Sequence, residues 1–371
     1  MRSGRLAARD RPSRPPWNAA SNLAGSRPMI PIRWTHFGII ALAACAPVPA
    51  ETRDDPDGIC VASAAAPVTA SLSPPSGGLA EAPNLGPPPL YGFWGLNGYV
   101  SATGFTDVIQ RFGISVFQVA SSEPTYAVGT LLPTARSVGL KVTLRMTTDH
   151  PGYTTDGDFD LGLWKAQLAP WIGSGVQPFI DDGTLVGHML LDDITNFEGR
   201  DPDAADLDEM ARCSKQLFPG LMTYVRQRAS RMPSPAPGRY EYVDAAVNQY
   251  DFLDGEVNRY AKHEQLFAAR RGLGVINGLN IADGGDGSSG QPGWRAGHWA
   301  MSAEEITRYG AVLAAVPTCG MFLNWEYDGQ EAWSDGTIGD DYFDQPELRA
   351  ALTDLGVLVG QHRHVTLLKP D

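Results

Sequence analysis

Residues 185–193 read LVGHMLLDD, a largely apolar run that ends in two aspartates. A run of this length and composition is typical of a strand buried on both faces, as in a parallel sheet. Similar runs recur along the chain, with amphipathic stretches between most of them. The other candidate strands are residues 90–95, 114–120, 140–146, 221–226, 243–249, 273–279 and 320–326.

Candidate helices separate these strands where apolar residues recur at helical spacing. They cover residues 106–112, 131–138, 161–172, 207–217, 256–270 and 303–315. Eight alternating units over about 270 residues match an α/β fold of the (β/α)8 TIM-barrel type in count and length. An open doubly wound sheet is the alternative, and it is disfavoured because no glycine-rich phosphate loop follows the first strand. We therefore predict a single barrel domain over residues 90–371.

The start of the chain has the features of an export signal. Residues 1–28 lack periodicity and are interpreted as disordered or as an over-extended start, with Met29 the better initiator. Residues 29–45 combine a basic start, a short apolar segment and the sequence LAAC at 42–45. The apolar segment is about eight residues long, too short to span a bilayer of about 30 Å as a helix. Residues 46–89 are rich in Pro, Ala and Ser and are predicted to form a tether.

The LAAC sequence resembles the lipobox of bacterial lipoproteins. This resemblance implies cleavage before Cys45 and a lipid on its thiol, which would attach an exported protein to a membrane. An alanine rather than an aspartate follows Cys45, which resembles the outer-membrane type of Gram-negative lipoprotein. We therefore expect an outer-membrane or periplasm-facing location. An ordinary signal peptide with an incidental cysteine remains the alternative.

Charge and motif spacing restrict the class of ligand. The formal net charge is −13, which argues against nucleic acid as a partner because nucleic-acid sites need clustered Lys and Arg. Neutral ligands such as sugars are compatible with this charge. The four cysteines and seven histidines show no zinc spacing, so we expect neither a metal nor another cofactor. Cys213 and Cys319 are expected to be small buried apolar side chains.

Side-chain alternation predicts which polar residues face the barrel mouth, at the C-terminal ends of the strands. In residues 320–326 we expect Asn324 and Glu326 to point inward. In residues 185–192 the expected inward set is His188, Leu190 and Asp192, with Asp193 just beyond the strand. Asn277 is also expected to point inward, and residues 283–290 are expected to form a mobile rim loop.

Three carboxyl groups are the candidate catalytic residues: Asp192, Asp193 and Glu326. Arg145, on the neighbouring strand, is expected to pair with Asp192 and keep it ionised. Asp193 is then the candidate acid, and Glu326 the candidate base or nucleophile. Aromatic platforms and hydrogen-bonding groups complete the predicted substrate-binding set: Trp94, Asn97, Arg145, Gln249, Tyr250, Asn280, Asp283, Asn324 and Trp325.

The strand order, the acidic pair after the fourth strand and the Trp325–Glu326 pair after the eighth resemble the barrel superfamily of retaining glycoside hydrolases. The run from Gly187 to Asp193 is also similar to one in glycosidase-like bacterial lipoproteins. The resemblance implies a carbohydrate substrate and hydrolysis of an O-glycosidic bond by a carboxylate pair.

Two departures from the hydrolase pattern keep other functions open. The large hydrolase clan carries Asn-Glu after the fourth strand, where this chain has Asp192-Asp193. That clan also places a glutamate after the seventh strand, and residues 280–283 contain none. A non-catalytic carbohydrate-binding surface lipoprotein and a scaffold without ligand are therefore the alternatives.

Overall fold

A computed structural model describes residues 88–95, 100–148, 150–195, 197–235, 238–327 and 340–361. The predicted signal peptide, its Cys45, the tether up to residue 87 and Asn97 lie outside these residues. All of the described residues fall in one folded unit.

Eight parallel strands close into a barrel in which each strand pairs with its neighbours in the chain and the last pairs with the first. The (β/α)8 prediction is confirmed, and every predicted strand is present with ends that agree within two residues. The strands are β1 Leu90–Trp94, β2 Val116–Ala120, β3 Lys141–Arg145, β4 Leu185–Asp192, β5 Met222–Arg226, β6 Ala245–Tyr250, β7 Gly274–Leu279 and β8 Met321–Asn324.

Helices surround the barrel and begin at residues suited to capping. Ser101 and Asp203 each accept a hydrogen bond from the first turn of the helix that follows, and Ser302 forms a capping box with Glu305. The main helices are α1 Ala102–Phe112, α2 Leu132–Val138, α3 Leu161–Leu168, α4 Gln177–Asp181, α5 Ala204–Leu217, α6 Val257–Arg271, α7 Ala303–Ala314 and α8 Pro346–Gln361.

Shorter elements fill the connections. A hairpin of two-residue strands, Thr154–Thr155 and Asp158–Phe159, precedes α3. Short helical segments are Pro124–Tyr126, the π-helical Ala127–Leu131, Asp340–Phe343 and the 3-10 turns His150–Tyr153, Ala169–Trp171, Ala229–Arg231 and Phe252–Asp254. In the described residues between β5 and β6 the helical element is the 3-10 turn Ala229–Arg231, and no helix was predicted there. None of the helices described is both long and apolar enough to cross a membrane.

One apolar cluster fills the barrel interior and shows which side chains point inward. Its buried members come from every strand except β3, alternate along β5, β6 and β8, and include Cys319 before β8: Trp94, Val116, Met189, Met222, Tyr224, Ala245, Val247, Ile276, Cys319, Met321 and Leu323. A larger cluster lies between the strands and the helices. The inward set of β8 is therefore Met321 and Leu323, and the prediction that Asn324 points inward is wrong. Its Oδ1 accepts a hydrogen bond from the Leu279 amide at 3.1 Å on the outer side.

Strand β4 contains an irregularity that changes which side chains point inward. Its register against β5 shifts between Met189 and Leu191. His188 lies outside the barrel, where Nδ1 is 2.8 Å from Ser214 Oγ on α5, and Leu190 packs in the outer core. The predicted inward orientation of both is wrong. The extra residue returns Asp192 to the inward side, in register with Arg226 on β5.

Two further predictions about side chains near the strands are corrected. Asn277 on β7 points outward, because its Nδ2 donates to the Pro317 carbonyl at 3.4 Å behind the sheet. Cys213 is buried, as expected. Cys319, just before β8, is disulfide-bonded and is therefore not a simple apolar side chain.

Candidate active site

Arg226 occupies the centre of the barrel mouth, at the end of β5. Its Nε donates to Asp192 Oδ1, its Nη2 donates to Asp193 Oδ2 at 2.8 Å, and its Nη1 donates to Gln249 Oε1 at 3.3 Å. Burial disfavours its charged form, but Asp192, Asp193 and Glu326 together raise the pKa of Arg226. A single guanidinium therefore joins the two carboxylates at the end of β4 to an amide on β6.

The Asp192–Asp193 pair is held at the end of β4 by backbone contacts. The Asp193 amide donates to the Arg226 carbonyl at 3.1 Å, and the Asp192 carbonyl lies 2.6 Å from His150 Nε2. Asp193 has a positive φ of 50°, a conformation that non-glycine residues seldom adopt and that often marks a functional position. The Asp193 side chain is 41% exposed, so it faces the open mouth.

The expected pair of Arg145 and Asp192 is present. Arg145 Nη1 lies 3.7 Å from Asp192 Oδ2, across the β3–β4 boundary. Arg226, on the adjacent strand β5, nevertheless makes the closer contact with Asp192. The Asp192 carboxylate thus lies between two guanidinium groups at the mouth.

Glu326 follows β8 and reaches the same mouth. It packs over Gly95, where an added Cβ would lie 2.5 Å from Glu326 Oε1. Gly95 also has a φ of +86°, so both its conformation and this contact require glycine. The Tyr327 amide donates to the Trp94 carbonyl at 3.0 Å and fixes the chain beside β1, and the Trp325–Glu326 peptide bond is cis.

The floor of the mouth combines an indole with amide groups. Trp94 is almost fully buried, and the Arg226 guanidinium lies 5.3 Å from the centre of its ring. Gln118 on β2 is the register partner of Trp94. Within the described residues, three buried polar atoms around this floor have no hydrogen-bond partner: Trp94 Nε1, Gln118 Nε2 and Gln249 Nε2. Such atoms need partners, and a hydroxyl-rich ligand would supply them.

One wall of the mouth is formed by Trp325 and by the segment between β7 and α7. The indole rings of Trp325 and Trp294 meet edge to face, with centroids 5.7 Å apart at 78°. Asn280 lies next to Trp325 through a β-bridge, and its buried Oδ1 has no partner among the residues described. This wall therefore offers two aromatic rings and an amide side by side.

Two predicted binding residues belong to the scaffold instead. Tyr250 is buried outside the barrel, packs against Tyr260 and Tyr309, and donates to the Gly255 carbonyl at 2.6 Å. Asp283 is fully buried and paired with Arg295, so its carboxylate is closed to a substrate. Burial raises the pKa of Asp283, and Arg295 opposes this shift. The predictions of Tyr250, Asp283 and Asn324 as substrate contacts are therefore wrong.

The segment expected to be a mobile rim loop is held at both ends. The Arg295 amide donates to Asp283 Oδ1 at 2.9 Å, and the Asp286 amide donates to Glu305 Oε1 at 2.7 Å. Backbone hydrogen bonds also join Gly285 to Trp299 at 2.8 Å. The prediction of a mobile loop is not supported by these contacts.

The sequence analysis missed Arg226, Gln118, His150 and Trp294. A signal for Arg226 existed, since MTYVR alternates Met222, Tyr224 and Arg226 on one face and ends in a charge. Trp294 gave no signal because it lies in a segment without periodicity. No group of His, Cys, Asp and Glu in the described part of the chain is arranged to hold a metal ion.

Solved structures with a similar fold share little sequence with this chain. A β-glucanase from Saccharophagus degradans is 12% identical with a TM-score of 0.48, covering 74% of this chain and 88% of its own. An endocellulase from Pyrococcus horikoshii is 12% identical with a TM-score of 0.48, covering 72% and 92%. The endoglucanase catalytic domain from Xanthomonas campestris pv. campestris is 11% identical with a TM-score of 0.45, covering 72% and 95%. No family model and no curated protein matches the chain.

Proposed function

We propose that this protein is a glycoside hydrolase-like enzyme that cleaves O-glycosidic bonds of an extracytoplasmic oligo- or polysaccharide. The observation that carries the proposal is that Asp193, bound by Arg226 at the end of β4, and Glu326, packed over Gly95 after β8, lie at the same mouth. Acids from opposite parts of the barrel thus share one mouth. Indoles and amides line the same mouth, as a sugar site requires.

The contacts favour particular roles for the two catalytic carboxyl groups. Asp193 contacts a guanidinium directly, which favours its ionised form and suits a nucleophile or base. Glu326, half-buried over Gly95 on the β8 side of the mouth, is then the candidate acid. These roles are the reverse of those that the sequence suggested. Asp192 then orients Arg226.

The proposed reaction consumes one water molecule. Glu326 donates its proton to the glycosidic oxygen as the bond from this oxygen to the anomeric carbon breaks. The Asp193 carboxylate faces the positive charge that develops at that carbon. Water then supplies a hydroxyl group to the anomeric carbon, and its remaining proton returns to the carboxyl pair. Direct attack by Asp193 needs a carboxyl separation of about 5–5.5 Å, and attack by water about 6.5–9.5 Å.

Variants of the two acids test the proposal. Purified protein is screened on aryl glycosides and on neutral polysaccharides, with release of reducing ends as the readout. We expect Asp193→Asn and Glu326→Gln each to lower kcat at least about a hundredfold. Glu304→Gln, an exposed acid on α7, is the matched control and should keep full activity. Full activity in both site variants would exclude this catalytic pair.

A second candidate function is non-catalytic carbohydrate binding. The observation in its favour is that Arg226 binds both Asp192 and Asp193, so two of the three predicted catalytic carboxyl groups are engaged in ion pairs. Binding of an oligosaccharide by the wild-type protein, with no product after long incubation, would favour this function over hydrolysis.

We also propose that the protein is exported and held at a membrane by a lipid on Cys45. The lipobox-like LAAC sequence supports this attachment. The disulfide bond at Cys319 supports an oxidising compartment outside the cytoplasm, where such bonds persist. Detergent phase partition of the expressed full chain, compared with Cys45→Ser, tests the anchor.

A further inference from the structure

The wall of the mouth formed by residues 281–301 is anchored to the barrel at several points. The Ile281 amide donates to the Trp325 carbonyl at 2.6 Å, and the Met301 amide donates to the Ile281 carbonyl at 2.8 Å. Between these anchors, the Gly293 amide donates to the His298 carbonyl at 2.8 Å. The segment therefore presents its side chains to the mouth from a defined backbone.

An ion-pair network fixes the position next to Trp294. Arg295 pairs with the buried Asp283 through Nε, and its Nη2 lies 3.5 Å from Asp251 Oδ2 on the neighbouring loop. Because Arg295 directly follows Trp294, this network also limits where the indole can lie. A preorganised aromatic ring binds a ligand at a lower entropic cost than one on a loop that must first be ordered.

Trp294 extends the aromatic surface beyond Trp325. The two rings touch edge to face, so their faces point in different directions. Trp325 packs against the interior cluster and directly precedes Glu326, whereas Trp294 belongs to the segment 281–301. A ligand that covered both ring faces would need more than one sugar ring.

The charged groups of this region favour an uncharged ligand. Each guanidinium described at the mouth already contacts a carboxylate: Arg145 and Arg226 contact Asp192, and Arg295 contacts Asp283. Arg228, at the next loop, pairs with Asp254. Binding a carboxylated or sulfated sugar would require one of these pairs to be broken, which costs free energy.

We infer that Trp294 is the platform of a second sugar position and that the substrate is a chain of neutral sugars rather than a single glycoside. The inference rests on the proposed function. The reactive sugar lies over Trp325 and the acids, and a neighbouring sugar of the same chain stacks on Trp294. Asn280 Oδ1 accepts a hydrogen bond from a sugar hydroxyl between the two positions.

The dependence of turnover on chain length tests this inference. The substrates are gluco-, manno- and xylo-oligosaccharides of increasing length, together with oligogalacturonides as the anionic series. We expect wild-type kcat/KM to rise with length in one neutral series and the anionic series to be inert. Trp294→Ala should lower the ratio of kcat/KM for long over short chains about tenfold. Trp299→Ala is the matched control, because this Trp on the same segment is 39% exposed and lies against Gly287.

Each outcome is decisive for a different statement. If the ratio of kcat/KM for long over short chains is the same in Trp294→Ala and in the wild type, the second sugar position is overturned. Preferential turnover of oligogalacturonides would overturn the neutral chain. If no series is cleaved, binding is measured by tryptophan fluorescence with the same oligosaccharides. If binding then strengthens with chain length and Trp294→Ala weakens it, the second sugar position is supported although the proposed hydrolysis fails. If no neutral series binds, the second sugar position is overturned.

Discussion

Asp192 and Arg226 are register partners on adjacent barrel strands, and the Nε of Arg226 donates to the Oδ1 of Asp192. Asp192 points inward only because β4 shifts register before it, whereas Arg226 follows the regular alternation of β5. The pair places a cation beneath two adjacent carboxylates, where it compensates their mutual repulsion. The geometry of the predicted catalytic aspartate, Asp193, therefore depends on Arg226.

Replacing Arg226 should impair activity more than stability. In Arg226→Met the aliphatic side chain still packs beside Trp94, but the donors to Asp192, Asp193 and Gln249 are lost. We expect kcat/KM to fall about a hundredfold. The free energy of unfolding should fall by about 1–2 kcal/mol, since the carboxylates are partly exposed and screened by water. Compared with Arg226→Met, Arg226→Lys keeps the charge but lacks the planar set of donors, so it should recover the free energy of unfolding more than kcat. Steady-state kinetics and urea denaturation measure the two effects, and a wild-type kcat in Arg226→Met would contradict the positioning role of Arg226.

His150 is expected to position the same aspartates from the opposite side. Since the Asp192 carbonyl can only accept, His150 Nε2 must carry the proton in their 2.6 Å hydrogen bond. The ring stacks on Phe197 with centroids 4.6 Å apart. His150→Ala should lower kcat about tenfold with a much smaller change in KM, because the Asp193 backbone loses one restraint. His150→Gln places an amide donor near the same point and should recover part of kcat. A fall in Tm with unchanged kcat would reduce His150 to a structural role.

The barrel itself was predictable because it depends on a repeated pattern. Apolar runs such as residues 185–191 must be covered on both faces, and alternation with helices leaves few topologies that do so. Errors of one residue at a strand end do not change that outcome. For the same reason the position of the mouth, at the C-terminal strand ends, followed from the fold class.

The orientation of individual side chains was less predictable. The prediction for β4 assumed strict alternation, which the irregularity after Met189 breaks, so His188 was placed on the wrong side although Asp192 was not. In β8 the presence of two polar residues suggested that they faced the mouth. Asn324 instead satisfies a backbone amide outside the barrel, a role that a sequence does not distinguish from ligand binding.

The Asp283–Arg295 pair should stabilise the wall that carries Trp294. Arg295→Met leaves a buried carboxylate without its partner, and we expect a loss of about 3 kcal/mol in the free energy of unfolding. Burial already raises the pKa of Asp283, so without Arg295 the folded protein should bind a proton there more readily than the unfolded chain. The loss should therefore shrink as the pH is lowered. Asp283→Asn combined with Arg295→Met removes the charge and should recover part of the stability in urea denaturation. A pH-independent loss would contradict this explanation.

His188 should make stability depend on pH. Burial lowers the pKa of His188 from 6.5 to about 3, so between these values the unfolded chain binds a proton that the folded protein does not. Stability is therefore lost as the pH falls below 6.5, by about 1.4 kcal/mol per pH unit from this group. In His188→Asn that contribution is absent, and the pH profile of the free energy of unfolding should be flatter. Ser214→Ala removes the partner of Nδ1 but keeps the imidazole, so it should keep the wild-type slope. Equal slopes in His188→Asn and the wild type would show that other groups control acid unfolding.

The cysteines connect the lipid-anchor proposal to the barrel. Cys319 is disulfide-bonded and Cys213 is a buried thiol, so Cys45 and Cys60, which lie outside the described residues, are the candidate partners of Cys319. A thiol that carries a lipid cannot form a disulfide. The lipid on Cys45 therefore predicts a bond between Cys60 and Cys319, which would tie the tether to the start of β8. Peptide mapping by mass spectrometry without reduction should show this pair in membrane-extracted protein, and Cys60→Ser should expose a reactive thiol at Cys319 while leaving detergent partition unchanged. A Cys45–Cys319 peptide would exclude the lipid anchor at that position and leave an exported protein released from its signal peptide.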